Sequence, residues 1–189
     1  MDAYAYDYGT LDKIGDTGSR LLLRCRLHGQ FSPPLTLPVR VAWRAGVDLN
    51  PLDPADSQDA AWLRALVWAD HRDRALRLDE ALRIAASHPA VPMYAGDALE
   101  QLPAAVDAAP PEAAVCVFHT AFLAHFSQVE RDRFTRQVLT LSRRRTIYWI
   151  QAEPRRDPTE PRLRLTVCDA GQITQDWQLG HYQPHGAWP

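Results

Sequence analysis

From Ser19 to Leu27 apolar and polar residues alternate, with Leu21, Leu23, Cys25 and Leu27 on one side and Arg24, Arg26 and His28 on the other. A period of two predicts a half-buried strand, and Gly29 ends it. A second apolar segment runs from Leu35 to Trp43, where Pro33, Pro34 and Pro38 confine the first part to a sheet edge, since proline has no N–H for a ladder. The two segments form a hairpin into VAWRAGVDLNPLDP, Val41 to Pro54. That stretch reads as a short strand that turns at Gly46 and carries Asp48 and Asn50 just past its tip.

The period then changes. ADSQDAAWLRALVWAD after Pro54 predicts a helix capped by Asp56 or Ser57, with Trp62, Leu63, Leu66 and Val67 as its apolar face. His71 to Ser87 predicts a second helix, with Ala75, Leu78, Leu82 and Ala85 on one side and Asp79 paired with Arg83 one turn away. Val91 to Tyr94 is a short strand ending in Gly96 and Asp97, followed by a helical turn or two from Ala98 to Leu102 and a surface connection from Pro103 to Pro111. Ala113 to Phe118 is an almost unbroken apolar run, as expected of a strand buried on both faces, with His119 and Thr120 at its exit. Ser127 and Glu130 form a capping box for a helix whose Phe134, Val138 and Leu141 share a face. Thr146 to Ile150 is the next strand, delivering Gln151 and Glu153 into a loop. A final hairpin alternates Leu163, Leu165 and Val167 with Arg162, Arg164 and Thr166, turns at Asp169 to Gly171, and returns through Ile173, Trp177 and Leu179.

Strands alternating with helices predict an α/β fold, a Rossmann-like, mostly parallel sheet with helices on both faces, to which the last hairpin adds antiparallel strands. At 189 residues the expected organisation is a single domain: an irregular lead-in over 1–18, where no period is visible, a hairpin over 19–43 and the α/β core over 44–189.

Composition narrows the function. A net charge of −2 argues against a surface built to neutralise nucleic acid phosphates or an anionic membrane. Cys25, Cys116 and Cys168 are odd in number, far apart and in apolar settings, which predicts reduced, buried thiols. Asp2 and Asp7 stand where a signal peptide would carry positive charge, and no apolar run reaches the ~20 residues of a membrane span. The expected location is the cytoplasm.

In open α/β sheets ligands bind beyond the carboxyl ends of the strands. Four polar pairs fall at such ends: Asp48 with Asn50, Gly96 with Asp97, His119 with Thr120, and Gln151 with Glu153. Each has a structural alternative. Asp48 and Asp97 can cap the turns that follow, His119 can be a satisfied core histidine, and Glu153 can pair with Arg155 or Arg156. His181 and His185, with His119 or Glu153 as a third ligand, suggest a metal site, but Pro184 keeps the two histidines off one helix face and no metal-ligand spacing supports them. No Gly-x-Ser-x-Gly elbow is present for acyl hydrolysis. Arg143 to Arg145 suit a helix carboxyl end.

The blocks GVDLNP (46–51), YAGDALEQLP (94–103) and AAVCVFHTAFLAHF (113–126), followed by a helix, a strand and a hairpin, resemble the second strand onward of a class I S-adenosylmethionine-dependent methyltransferase. That resemblance implies that Asp48 binds ribose hydroxyls and that Gly96 and Asp97 border the adenine. A resemblance over nearly the whole length is to the bacterial domain of unknown function 2332, carried by AYDYG, Arg44 to Asp53, WLRALVW (62–68), GDA (96–98), FHT (118–120) and the terminal His185 and Gly186. Members of that family place a Gly-Ala-Ser-Ala-Gly-Leu-Asn type loop before AYDYG, matching a first strand and a cofactor loop. Here Met1 follows that point, so the resemblance implies a fragment or a shortened relative.

The resulting expectation is a methyltransferase-like domain without its first strand, acting on a small molecule. Asp48, Asn50, Gly96 and Asp97 would hold S-adenosylmethionine, and His119, Glu153 and His185 would position substrate or transfer protons. The alternatives are a non-catalytic binding or assembly module and a nucleotide-binding protein. An exposed central edge would favour association with a second copy or with a missing N-terminal segment.

Overall fold

The computed structural model describes residues 3–9, 13–27, 40–153 and 162–182. The chain divides into two compact units, Met1–Ala95 and Gly96–Pro189.

In the first unit, β1 (Ala5–Asp7) pairs antiparallel with β2 (Ile14–Gly15) and parallel with β3 (Leu22–Arg24). The tyrosine-rich lead-in, where no period is visible, therefore supplies two strands. Strands this short carry no readable alternation, and their pairing is decided by burial of Ala5 and Leu21. Most of the proline-containing segment lies outside the described residues, and Arg40–Ala45 has no regular structure. The strand expected from Val41 is β4 (Gly46–Asp48), so Gly46 opens it instead of ending it. β4 lies parallel to β5 (Met93–Ala95), and the Met93 Sδ atom sits 2.5 Å from where a Cβ on residue 46 would be. A Cβ there would require the flexible end of the Met93 side chain to shift.

α1 (Ser57–Ala65) starts where expected, with Asp56 accepting from the Gln58 and Asp59 amides at 2.7 and 3.1 Å. Its expected apolar face is largely in solvent: Trp62 and Leu66 are exposed, and only Ala60 is buried. In α2 (Arg72–Ser87), Asp79 pairs with Arg64 of α1 at 2.6 Å, while Arg83 pairs with Glu80. A partner from the adjacent helix has displaced the pairing within one helix.

The second unit carries a four-stranded sheet in the order β6 (Val115–Thr120), β7 (Ile147–Glu153), β8 (Arg162–Asp169), β9 (Gln172–His181). β6 and β7 are parallel, and the other pairs are antiparallel. The fold is thus mixed α/β, with the described strands in three small sheets rather than one doubly wound sheet. Among the described residues β6 pairs with β7 alone, and it is not buried on both faces: its burial alternates, and Phe118 is 72 % exposed. An apolar run reports the composition of a strand but not how many neighbours it acquires.

α4 (Gln128–Leu141) follows the sequence closely. The Ser127–Glu130 capping box is formed in both directions, and Phe134, Val138 and Leu141 are buried. Each such side chain contributes about 1.5–3 kcal/mol. α3 (Ala98–Asp107) is longer than expected and passes through Pro103, because Leu102, Ala105 and Val106 are buried at helical spacing. Their burial offsets the roughly 3 kcal/mol cost of an interior proline. Arg145 goes beyond offsetting the helix dipole: its guanidinium donates to the carbonyls of Ala109, Pro110 and Ala113, holding the α3–β6 connection. Of the cysteines, Cys168 is buried, but Cys25 and Cys116 are exposed, since β3 and β6 each present one open face.

The β8–β9 hairpin turns through Ala170 and Gly171, with φ of 50° and 80°. Positive φ at both central residues is the type I′ geometry, which suits asparagine followed by glycine. Ala170→Asn should therefore stabilise the chain by about 0.5–1 kcal/mol. Differential scanning calorimetry should show a Tm rise of roughly 2–4 °C per kcal/mol gained.

Candidate functional site

Along β7 alternate residues point to one face. Ile147, Trp149, Gln151 and Glu153 occupy that face, and their cross-strand partners on β8 are Cys168, Thr166, Arg164 and Arg162. Val115, Val117 and His119 of β6 stand beside Ile147, Trp149 and Gln151. The face thus passes from an apolar half to a polar half. Phe134 of α4 covers the junction, with its ring 5.7 Å from that of His119 and 5.9 Å from that of Trp149.

His119 and Glu153, 34 positions apart in the chain, meet at this junction with Nδ1 and Oε1 2.6 Å apart. Their side chains are 9 % and 17 % exposed. The Trp149 indole N–H points at His119 Nε2, 2.9 Å away. An indole nitrogen can only donate, so Nε2 must accept, and the imidazole proton resides on Nδ1, where it donates to Glu153. Both ring nitrogens are engaged, and Phe122, Phe134 and Trp149 surround the ring. His119 is a neutral, oriented histidine.

Glu153 Oε1 also accepts from the Phe122 amide at 2.9 Å. That amide is presented by the turn at Ala121, whose φ of 50° is left-handed, and whose N–H donates to the Ala152 carbonyl at 2.9 Å. A 3-10 turn, Leu123–His125, follows directly. Burial pushes the Glu153 pKa up, but donation from His119 and from the Leu123 and Phe122 amides outweighs it and holds the carboxyl below its usual value. Glu153 therefore stays ionised. Its second oxygen, Oε2, is shielded from solvent and has no hydrogen-bond partner among the described residues.

The polar half of the face forms a groove of about 360 Å³ lined by Gln151, Glu153, Arg162, Arg164, Asp176 and Gln178. Its far wall is internally satisfied. Arg164 forms a two-pronged ion pair with Asp176, which holds that carboxyl below its ordinary range. Gln151 donates to the Thr166 hydroxyl at 3.3 Å, and that hydroxyl donates to Asp176 at 3.1 Å. Arg162 is different: its Nε is buried without a partner. Tyr182 lies close enough that the Glu153 charge, after burial, raises its phenol pKa.

The expected site residues divide as follows. His119 and Glu153 come together, and Glu153 lies within β7, not in a loop. Thr120 is exposed on the opposite face of β6. Asp48 accepts from the Asn50 amide at 2.9 Å, forming a local turn at the end of β4 opposite Ala95. Asp97 caps α3, accepting from Leu99 N–H at 2.8 Å, and Gly96 supplies the φ of 131° that precedes it. His185 lies outside the described residues, among which no group of three His, Cys, Asp or Glu is placed to hold a metal ion. Trp149, Arg162, Asp176 and Gln178 were not read as functional. Stepping back by twos from Glu153 would have marked Trp149, but nothing local says which strand lies beside β7.

A family described as an uncharacterized protein conserved in bacteria, DUF2332, matches residues 1–189. The chain belongs to that family. No curated protein and no solved structure matches it. The match spans both units of this DUF2332 chain, and the family description names no reaction. None of the helices among the described residues is long and apolar enough to cross a membrane.

Two outcomes test the junction. Trp149→Phe keeps an aromatic side chain but removes the N–H, so in ¹⁵N NMR the His119 Nδ1–H held by Glu153 should persist while the Nε2 resonance shifts as it loses its donor. A lowered Glu153 pKa contributes stability that is present above the unfolded value of about 4.3 and is lost as pH falls through the folded value. Thermal melts from pH 7 to pH 3 should fall more steeply for wild type than for Glu153→Gln.

Proposed function

We propose that this DUF2332 protein binds a small molecule in the groove beside Glu153, with that carboxylate as the anchor. The observation that supports it is the unequal treatment of the two carboxylate oxygens: Oε1 accepts from His119 and the Phe122 amide, the Leu123 amide adds a weaker interaction with the carboxylate, and Oε2 has no partner within hydrogen-bond geometry among the described residues. A buried ionised oxygen without a donor costs several kcal/mol, a cost that a ligand donor would remove. The groove volume is that of a metabolite-sized site. His119, with both nitrogens engaged, is a positioning residue that aims Glu153, and proton transfer by it would require loss of the Trp149 bond. A metabolite screen by chemical-shift perturbation should give hits that move the side-chain signals of Gln151, Arg164 and Gln178. Hits that perturb only residues outside this face would defeat the reading.

A second reading is favoured by the parallel β4–β5 pair. Asp48 stands at its carboxyl end, where the methyltransferase resemblance puts the ribose ligand. Its Oδ1 shapes the turn through Asn50, and Oδ2 is the oxygen that would meet a ribose hydroxyl. Calorimetry with S-adenosylmethionine and S-adenosylhomocysteine should then show binding that Asp48→Ala weakens at least about tenfold. Absence of heat with both compounds ends this second reading.

A further inference from the structure

The groove holds two charged groups of opposite sign, each with one buried atom that has no hydrogen-bond partner among the described residues. Glu153 and Arg162 are direct cross-strand partners, yet Glu153 Oε2 and Arg162 Nε are each buried without a hydrogen-bond partner. The other charges on the groove wall, Arg164 and Asp176, satisfy each other. Gln151 is committed to Thr166, and Gln178 to His181 at 3.0 Å.

We infer that the ligand is a small zwitterion of the α-amino acid class, its ammonium group meeting Glu153 and its carboxylate meeting Arg162. The inference rests on the small-molecule reading above and narrows it. A ligand with one charge would satisfy one of the two groups and leave the other buried and unpaired, which is the costly arrangement. A neutral polyol would neutralise neither. A molecule carrying both charges a few ångströms apart satisfies both, and side chains opposite each other across a ladder stand about 4.5–5.5 Å apart at Cβ. Arginine also offers a carboxylate two parallel N–H bonds. Both residues line the groove, and the Glu153 side chain is 17 % exposed, so the ligand meets them from the groove side.

The test uses the full chain, thermal shift and calorimetry, and four probe sets: the proteinogenic L-α-amino acids, their N-acetyl derivatives, their carboxamides, and neutral polyols. At least one free amino acid should raise the Tm and give saturable heat. Its N-acetyl and carboxamide forms should bind more than about tenfold more weakly. Glu153→Gln should bring the free amino acid down to the wild-type affinity of the N-acetyl form. Because the ligand-side deletions are made on wild-type protein, they stand even if a variant folds poorly. If a compound binds the groove equally well without its amine or its carboxylate, or a polyol binds best, the zwitterion inference is overturned and the small-molecule reading survives. If nothing binds, and a crystal structure shows Glu153 and Arg162 contacting each other or sharing only an ordered water, both are overturned.

Discussion

The second unit is organised around one partly buried carboxylate. Glu153 Oε1 draws in the His119 Nδ1–H and the Phe122 amide. Through them it ties the end of β7 to the end of β6 and to the left-handed turn at Ala121 that begins the path toward α4. The Trp149 indole completes the arrangement by donating to His119 Nε2, the ring nitrogen that Glu153 leaves free. Each donor is itself packed: the histidine among Phe122, Phe134 and Trp149, and the indole beneath α4. Hydrogen bonds made in such surroundings are stronger than in water, and each unmade one costs more.

The same face explains why core and groove are neighbours. Period-two alternation carries Ile147 and Trp149 into the region covered by α4, and two steps later presents Gln151 and Glu153 where polar side chains of β8 and β9 take over. The boundary between core and polar groove is therefore a change of residue type along a continuous ladder. Its polar side is pre-organised by the Arg164–Asp176 pair and by the Thr166 hydroxyl between Gln151 and Asp176. Arg162 and Glu153 stand outside that network. Unsatisfied charges of this kind destabilise a fold unless something else meets them, and they concentrate at sites that do chemistry or bind.

Local signals were legible wherever one element supplied both the pattern and the partner. The Asp56 cap of α1, the Ser127–Glu130 box, the Phe134–Val138–Leu141 stripe and the turn at Ala170 and Gly171 all have this character. Signals failed where the partner was remote. Asp79 chose Arg64 of another helix, Gly46 opened a strand by pairing with Met93 of β5, and Pro103 stayed helical because Leu102, Ala105 and Val106 found a core. His119 and Glu153 were visible singly as polar residues near strand ends, but their bond was not, and Glu153 had nearer arginines in sequence to suggest as partners.

Taken alone, the sequence determined the type and approximate place of the principal helices of the second unit and its closing hairpin, because capping, amphipathic period and turn chemistry act within a few residues. It also determined that acidic, amide and imidazole groups would fall near strand ends. Tertiary structure decided how the strands divide into three sheets, that β6 would pair with β7 alone among the described residues, and that His119, Trp149 and Glu153 would join into one relay beside Arg162. Those outcomes depend on ladder pairings between segments up to dozens of residues apart. Burial and register select such pairings, and no local window of the chain contains them.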